Sequence, residues 1–204
     1  MEKVLVINRL NIPNYERLNG FLPMSDCGDN FYDQILKNCF FMNRDEAEKD
    51  IKHKQIIPAI LITNDKGEVF LTRRLNTQGE SRLHGKHSLI VGGHINPIDE
   101  ASNDLIAAGF IRELFEELII DNWEKKNVEV IGVVNFDKTN DLNYVGNVHI
   151  GIVHHIKLPN TSKITIKEKD KMIGGMVSLD DAEANSDNME KWAQLIFNHI
   201  KKAM

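Results

Sequence analysis

Apolar residues recur along the chain at two spacings, every second position in some stretches and every third or fourth in others, and the alternation between them predicts its elements. Lys3 to Asn8 has the pattern of a short strand, after which Asn11-Ile12-Pro13-Asn14 and Leu22-Pro23-Met24-Ser25-Asp26 predict an irregular stretch. Phe31, Ile35, Leu36, Cys39 and Phe40 fall at helical spacing, so Phe31 to Phe41 is expected to be a helix packed on one side. Asn43 to Lys49 either extends it or forms a short second helix. Gln55 to Thr63 is nearly continuously apolar, Asn64-Asp65-Lys66-Gly67 is a turn, and Val69 to Leu71 resumes strand character, which together predict a hairpin. Leu89-Ile90-Val91 ends in Gly92-Gly93, and a loop with Pro97 leads to Ser102 or Asn103, either of which can cap a helix running to about Ile120. Val128 to Phe136 and Tyr144 to Ile156 predict a second hairpin across the polar turn 137–141. Met172 to Leu179 reads as one more strand, and Met189, Trp192, Ala193, Leu195, Ile196 and Ile200 mark a closing amphipathic helix. Hairpins on both sides of a central helix imply an α/β (α+β) fold, a mixed sheet carrying helices on its faces.

Length and composition narrow this picture. With 204 residues and 42% hydrophobic content there is material for one substantial core. The expected organisation is an N-terminal extension (1–54) packed on a catalytic domain (55–180), with the C-terminal helix (181–204) belonging to that domain. Thirty acidic against 25 basic residues give a net charge of −5, which argues against a nucleic acid duplex and for a small-molecule partner. The chain's first residues lack a signal peptide's apolar region, and no apolar run approaches a membrane span. Cys27 and Cys39 are too few for a disulfide framework, so both are expected to be free thiols in a cytoplasmic protein.

The candidate chemistry lies in Arg112-Glu113-Leu114-Phe115-Glu116-Glu117. Residues three and four apart share a helical face, so Glu113, Glu116 and Glu117 converge with Arg112 beside them, while Ile111, Leu114, Phe115 and Leu118 occupy the opposite face. Each like-charge pair at this spacing costs roughly 0.2–0.5 kcal/mol even when exposed, and burial raises the cost. A hard divalent cation, Mg2+ or Mn2+, removes it and leaves coordination positions for phosphate oxygens and water. Glutamate-rich helices are more often solvated faces. Here, however, a strand and double glycine feed the helix, a strand pair follows it, and a hairpin bearing Arg73-Arg74 precedes it.

These residues resemble the signature of the Nudix hydrolases, G-x5-E-x7-R-E-U-x-E-E-x-G-U with U a bulky aliphatic residue. Arg112, Glu113, Leu114, Glu116, Glu117 and Ile120 match it, and His87-Ser88-Leu89-Ile90-Val91-Gly92-Gly93-His94 looks like the strand that enters it. Two departures stand out. The loop after Gly93 is about five residues too long, leaving Asp99, Glu100 or Asp104 for the early acidic position, and Ile119 replaces the last glycine, so the helix is expected to run toward Asp121 or Asn122.

The resemblance implies a Nudix-like mixed sheet sandwiched between helices and a metal-dependent pyrophosphohydrolase, in which water attacks phosphorus in a nucleoside diphosphate linked to another group. By position, Glu113, Glu116, Glu117 and the Gly93 carbonyl are expected to bind the metal, with Glu113 as ligand or general base. Arg112 is expected to orient the helix, and Arg73, Arg74, Gly92 and Gly93 to contact substrate. Asp137, Asp141 and His149 are further candidates for the base. His84, His87, His94, His149, His154 and His155 show no zinc-ligand spacing. The related isomerase chemistry needs a cysteine near the double glycine, which is absent here. A non-catalytic sensor module that binds a nucleotide or diphosphate is the alternative function. A homodimer is expected from the resemblance alone.

Overall fold

Strand β4 (His53–Asn64) is the axis of the fold because both its faces are buried. Ala59 and Leu61 point into a cluster with Ala193, Ile196 and Phe197 of the closing helix α5 (Lys191–Ala203). Ile60 and Ile62 point the other way, onto Phe110 and Leu114 of the central helix α3 (Leu105–Glu117). Period-2 alternation on one strand thus fixes two helical layers with a sheet between them. The cost of disturbing this packing is set by burial: Leu114 is fully buried, and truncating such a leucine to alanine costs roughly 2–5 kcal/mol.

The computed structural model describes residues 1–77, 80–124, 127–138, 141 and 144–203. Its main sheet runs β12-β5-β4-β10-β9-β2, with β2 at Gly20–Pro23, β5 at Val69–Arg74, β9 at Val128–Asn135, β10 at His149–Leu158 and β12 at Met172–Val177. β4 and β10 are parallel from the Gln55–His149 pair to the Asn64–Leu158 pair, while β9 is antiparallel to β10, as the second expected hairpin requires. The first hairpin closes at the Thr63–Val69 pair. The expected mixed sheet between helices is therefore observed.

The N-terminal segment adds its own strand to this sheet. β1 (Lys3–Asn8) pairs antiparallel with both β4 and β3 (Cys39–Asn43), and Leu5, Ile7, Phe31 and Ile35 share one apolar cluster with Ile56, Ile95, Ile106 and Ile150. Here the expected helix from Phe31 to Phe41 is corrected. The helix, α1 (Phe31–Asn38), stops early because Cys39 to Asn43 pairs residue by residue with Ile7 to Lys3. A short helix, α2 (Arg44–Ala47), follows.

Three boundaries around the central helix and its following strands also differ from expectation. The N-cap of α3 is Asp104, whose side chain accepts from Ala107 N at 2.9 Å, rather than Ser102 or Asn103. The helix ends at Glu117 instead of running past Ile120, because Leu118–Ile120 forms a strand, β8, against β11 (Ile164–Ile166). That pairing supplies the backbone partners a terminating glycine motif would otherwise provide. Tyr144 to Val148 precedes β10 as a cap and 3-10 turn, and Thr139 and Asn140 of the expected polar turn lie outside the described residues. Among the described residues, no helix is long and apolar enough to cross a membrane.

Candidate active site

The double glycine follows β7 (Ile90–Val91), which pairs with β4, and both glycines sit at close approaches. Gly92 has φ 129°, and a Cβ there would lie 2.1 Å from the Pro58 carbonyl oxygen. A Cβ on Gly93 would lie 2.5 Å from Glu113 Oε2. Without side chains, the backbone comes against α3 and Gly92 N donates to Glu117 Oε2 at 3.1 Å.

The helix therefore presents its carboxylates to a cavity of about 630 Å3, lined by Gly92, Gly93, Glu113, Glu116 and Glu117 together. Glu113 and Glu117 are buried, each 8% exposed, whereas the Glu116 side chain is 54% exposed. Arg112 ties the group together: Nη1 lies 2.7 Å from Glu113 Oε1 and 3.2 Å from Glu116 Oε2, and Nη2 donates to the His94 carbonyl at 2.7 Å. The same guanidinium meets Asp99 at 3.1 and 3.0 Å. Of the three residues left open for the early acidic position, Asp99 is the one facing the signature arginine. Asp104 caps α3 and accepts from Tyr32 Oη at 3.0 Å, and Glu100 is exposed. The lengthened loop makes this possible by coiling into a 3-10 turn, Pro97–Ala101, that aims Asp99 inward.

Electrostatics single out Glu117. Burial pushes its carboxyl up to about 8, opposed by the nearby Arg74 guanidinium and the Gly92 hydrogen bond and reinforced by Glu113. Burial also raises Glu113, against the bond from Arg112. Asp99, Glu113 and Glu116 share Arg112, and Arg74 is itself held by Glu190 at 3.1 Å. Among the described residues, Glu117 is thus a buried carboxylate with a single backbone donor, opening on a cavity beside further carboxylates. An all-oxygen donor set with excess negative charge fits a hard divalent cation, whose charge would keep the group ionised.

The other expected residues separate clearly. Arg74 lines the cavity, but Arg73, on the opposite side of β5, is exposed and outside the cavity lining. Among the candidate bases, His149 lines the cavity, while Asp137 is bound by Lys54 at 2.6 Å and Tyr15 at 2.5 Å. Asp141 is exposed and outside the cavity lining. Sequence reasoning missed Glu190, which pairs with Arg74 and accepts from Ser88 Oγ, and Glu48, whose Oε1 lies 3.7 Å from His149 Nε2. Neither has a local motif to mark it; both reach the cavity region from elements distant in sequence.

A mixed sheet between two helices, with a glycine-led carboxylate helix at a cavity, defines a Nudix-type hydrolase. A family model described as NUDIX domain matches residues 53–198. Protein YmaB of Bacillus subtilis (strain 168) is 36% identical over 164 residues, covering 78% of this chain and 77% of that protein. The crystal structure of Tm1382, described as a candidate Nudix hydrolase, superposes over 100% of both chains with a TM-score of 0.78 at 26% identity. The chain belongs to the Nudix family, whose hydrolases act on phosphoanhydride bonds.

Proposed function

We propose that this protein hydrolyses a nucleoside diphosphate linked to a second group, using Mg2+ or Mn2+ held by Glu113, Glu116, Glu117 and the Gly93 carbonyl. The observation that carries this reading is Glu117: buried, opening on the cavity, and supported by one backbone hydrogen bond. The bound ion would neutralise diphosphate charge and acidify the attacking water.

The remaining tasks fall to the chain itself. Arg112, fixed by Asp99 and the His94 carbonyl, holds Glu113 by Oε1 and leaves Oε2 for the metal or for the proton of the attacking water. Arg74, aligned by Glu190, offers a guanidinium edge to phosphate oxygens. The cavity's size suits a nucleotide-sized ligand, and Tyr144 and Trp192 give it aromatic wall for a base.

The test is turnover of a panel of nucleoside diphosphate derivatives with Mg2+, comparing the native chain with Glu117→Gln. A loss of roughly 10²-fold or more is expected for the variant. Equal rates in both proteins would remove the carboxylate helix from the chemistry.

A further inference from the structure

Three side chains outside the carboxylate cluster meet at the edge of the same cavity. His94 Nε2 and His149 Nε2 are 3.3 Å apart, His149 Nε2 is 3.7 Å from Glu48 Oε1, and all three ligand atoms lie within 4.8 Å of one another. We propose that Glu48, His94 and His149 form a second metal site, distinct from the Mg2+-type site, that takes a zinc-like divalent transition ion. A tetrahedral ion with bonds of about 2.0–2.2 Å places its ligand atoms roughly 3.3–3.6 Å apart, the spacing approached here before any adjustment of side chains.

The surroundings prepare the donors. His149 Nδ1 lies 2.7 Å from the Val145 carbonyl, which can only accept, so Nδ1 carries the proton and Nε2 points its lone pair at the shared position. Glu48 is oriented likewise: Arg82 Nη2 holds Oε2 at 2.9 Å, leaving Oε1 toward the histidines. Two imidazoles and a carboxylate suit zinc better than magnesium, and three protein ligands leave one position open. His94 and His149 line the cavity, so that position faces the substrate space.

The site also joins two parts of the chain. Glu48 follows α2, outside residues 53–198 that match the family, whereas His94 follows the double glycine and His149 begins β10. Metal would therefore clamp the N-terminal segment onto the catalytic core. The competing arrangement is a His94–His149 hydrogen bond with Glu48 engaged only by Arg82.

The test uses the full untagged chain, stripped with chelator and titrated with Zn2+ by calorimetry in excess Mg2+. One zinc per chain is expected, unchanged in Glu116→Gln. Loss of an outer partner typically costs about 10–100-fold in metal affinity, so His94→Gln and Glu48→Gln should each weaken binding by at least roughly tenfold. In the native chain, Co2+ should give the intense visible bands of a tetrahedral site, a readout that depends on no variant. Zinc binding that is absent, untouched in both ligand variants, or lost in Glu116→Gln would overturn the proposal, as would a weak octahedral cobalt spectrum. Failure of the hydrolysis test would leave each of these outcomes intact, so the two readings fall separately.

Discussion

Asp99 grips Arg112 with both carboxylate oxygens, at 3.1 Å from Nε and 3.0 Å from Nη2, while itself only 5% exposed. This fork fixes the guanidinium that also pairs with Glu113 and Glu116. Asp99→Asn should therefore destabilise the fold by about 2 kcal/mol, since hydrogen bonds to charged groups contribute roughly 1.5–3 kcal/mol. It should also lower turnover by releasing Arg112 from its orientation. Asp104→Ala should cost about 1 kcal/mol through loss of the N-cap and leave turnover nearly unchanged. Urea denaturation and steady-state kinetics on the two variants separate these effects; equal loss of turnover in both would deny Asp99 its special place.

The adjacent glycines should fail differently. At Gly92 an added methyl meets the Pro58 backbone oxygen at 2.1 Å in a left-handed conformation, so Gly92→Ala should lower the melting temperature sharply. At Gly93 the methyl first meets the end of the Glu113 side chain, which can swing aside. Gly93→Ala should therefore keep most of its stability and lose activity as Glu113 leaves its position. Thermal melts paired with kinetics decide this, and a Gly93→Ala enzyme of native turnover would contradict it.

A buried carboxylate kept for function should cost stability when its ion is withheld. Gln at position 117 keeps an oxygen for the Gly92 amide and removes the charge, so Glu117→Gln should melt above the native chain in chelator, by a few degrees. Adding Mg2+ should raise the native melting temperature more than the variant's. A variant less stable than the native chain in chelator would mean that donors of the protein itself already stabilise the Glu117 carboxylate.

The parts of this design that were legible in the sequence are those written locally. Arg112 to Glu117 lie within two helical turns, and β4 and β5 flank a turn whose glycine marks it. Long-range pairing decided the rest. Cys39 to Asn43 carries apolar residues compatible with helix or strand, and only its register with β1 selects the strand. Ile119 gave no stop signal, because α3 is ended by β11, more than 40 residues further along the chain. Asp99 could not be chosen over Glu100 and Asp104 until the loop's 3-10 turn was known, and Glu48, His94 and His149 share no spacing at all.

Asp137 and Lys54 offer a test away from the cavity carboxylates. Lys54 is fully buried, and its ammonium donates to Asp137 at 2.6 Å and to the Gly146 carbonyl at 2.6 Å; Arg9 and Tyr15, from the N-terminal segment, reach the same carboxylate. Burial alone would raise the Asp137 carboxyl, but the bonds from Lys54 and Tyr15 outweigh it and hold it below the ordinary value. An acid depressed on folding gives stability that is present above its unfolded pKa and is lost as pH falls through the folded one. The gap between native and Asp137→Asn should thus be widest near pH 6 to 7 and close as the pH drops below about 4. Lys54 acts at the other end: burial pushes its amine down to about 8 despite Asp137, so the native state sheds this proton before the unfolded chain does. Between pH 8 and about 10, the native chain should gain stability relative to Lys54→Met, because the unfolded state then binds more protons. Urea midpoints across both pH ranges check the two signs, and a gap for Asp137→Asn that stays constant from pH 7 to 3 would show that this carboxylate is not held ionised by Lys54 and Tyr15.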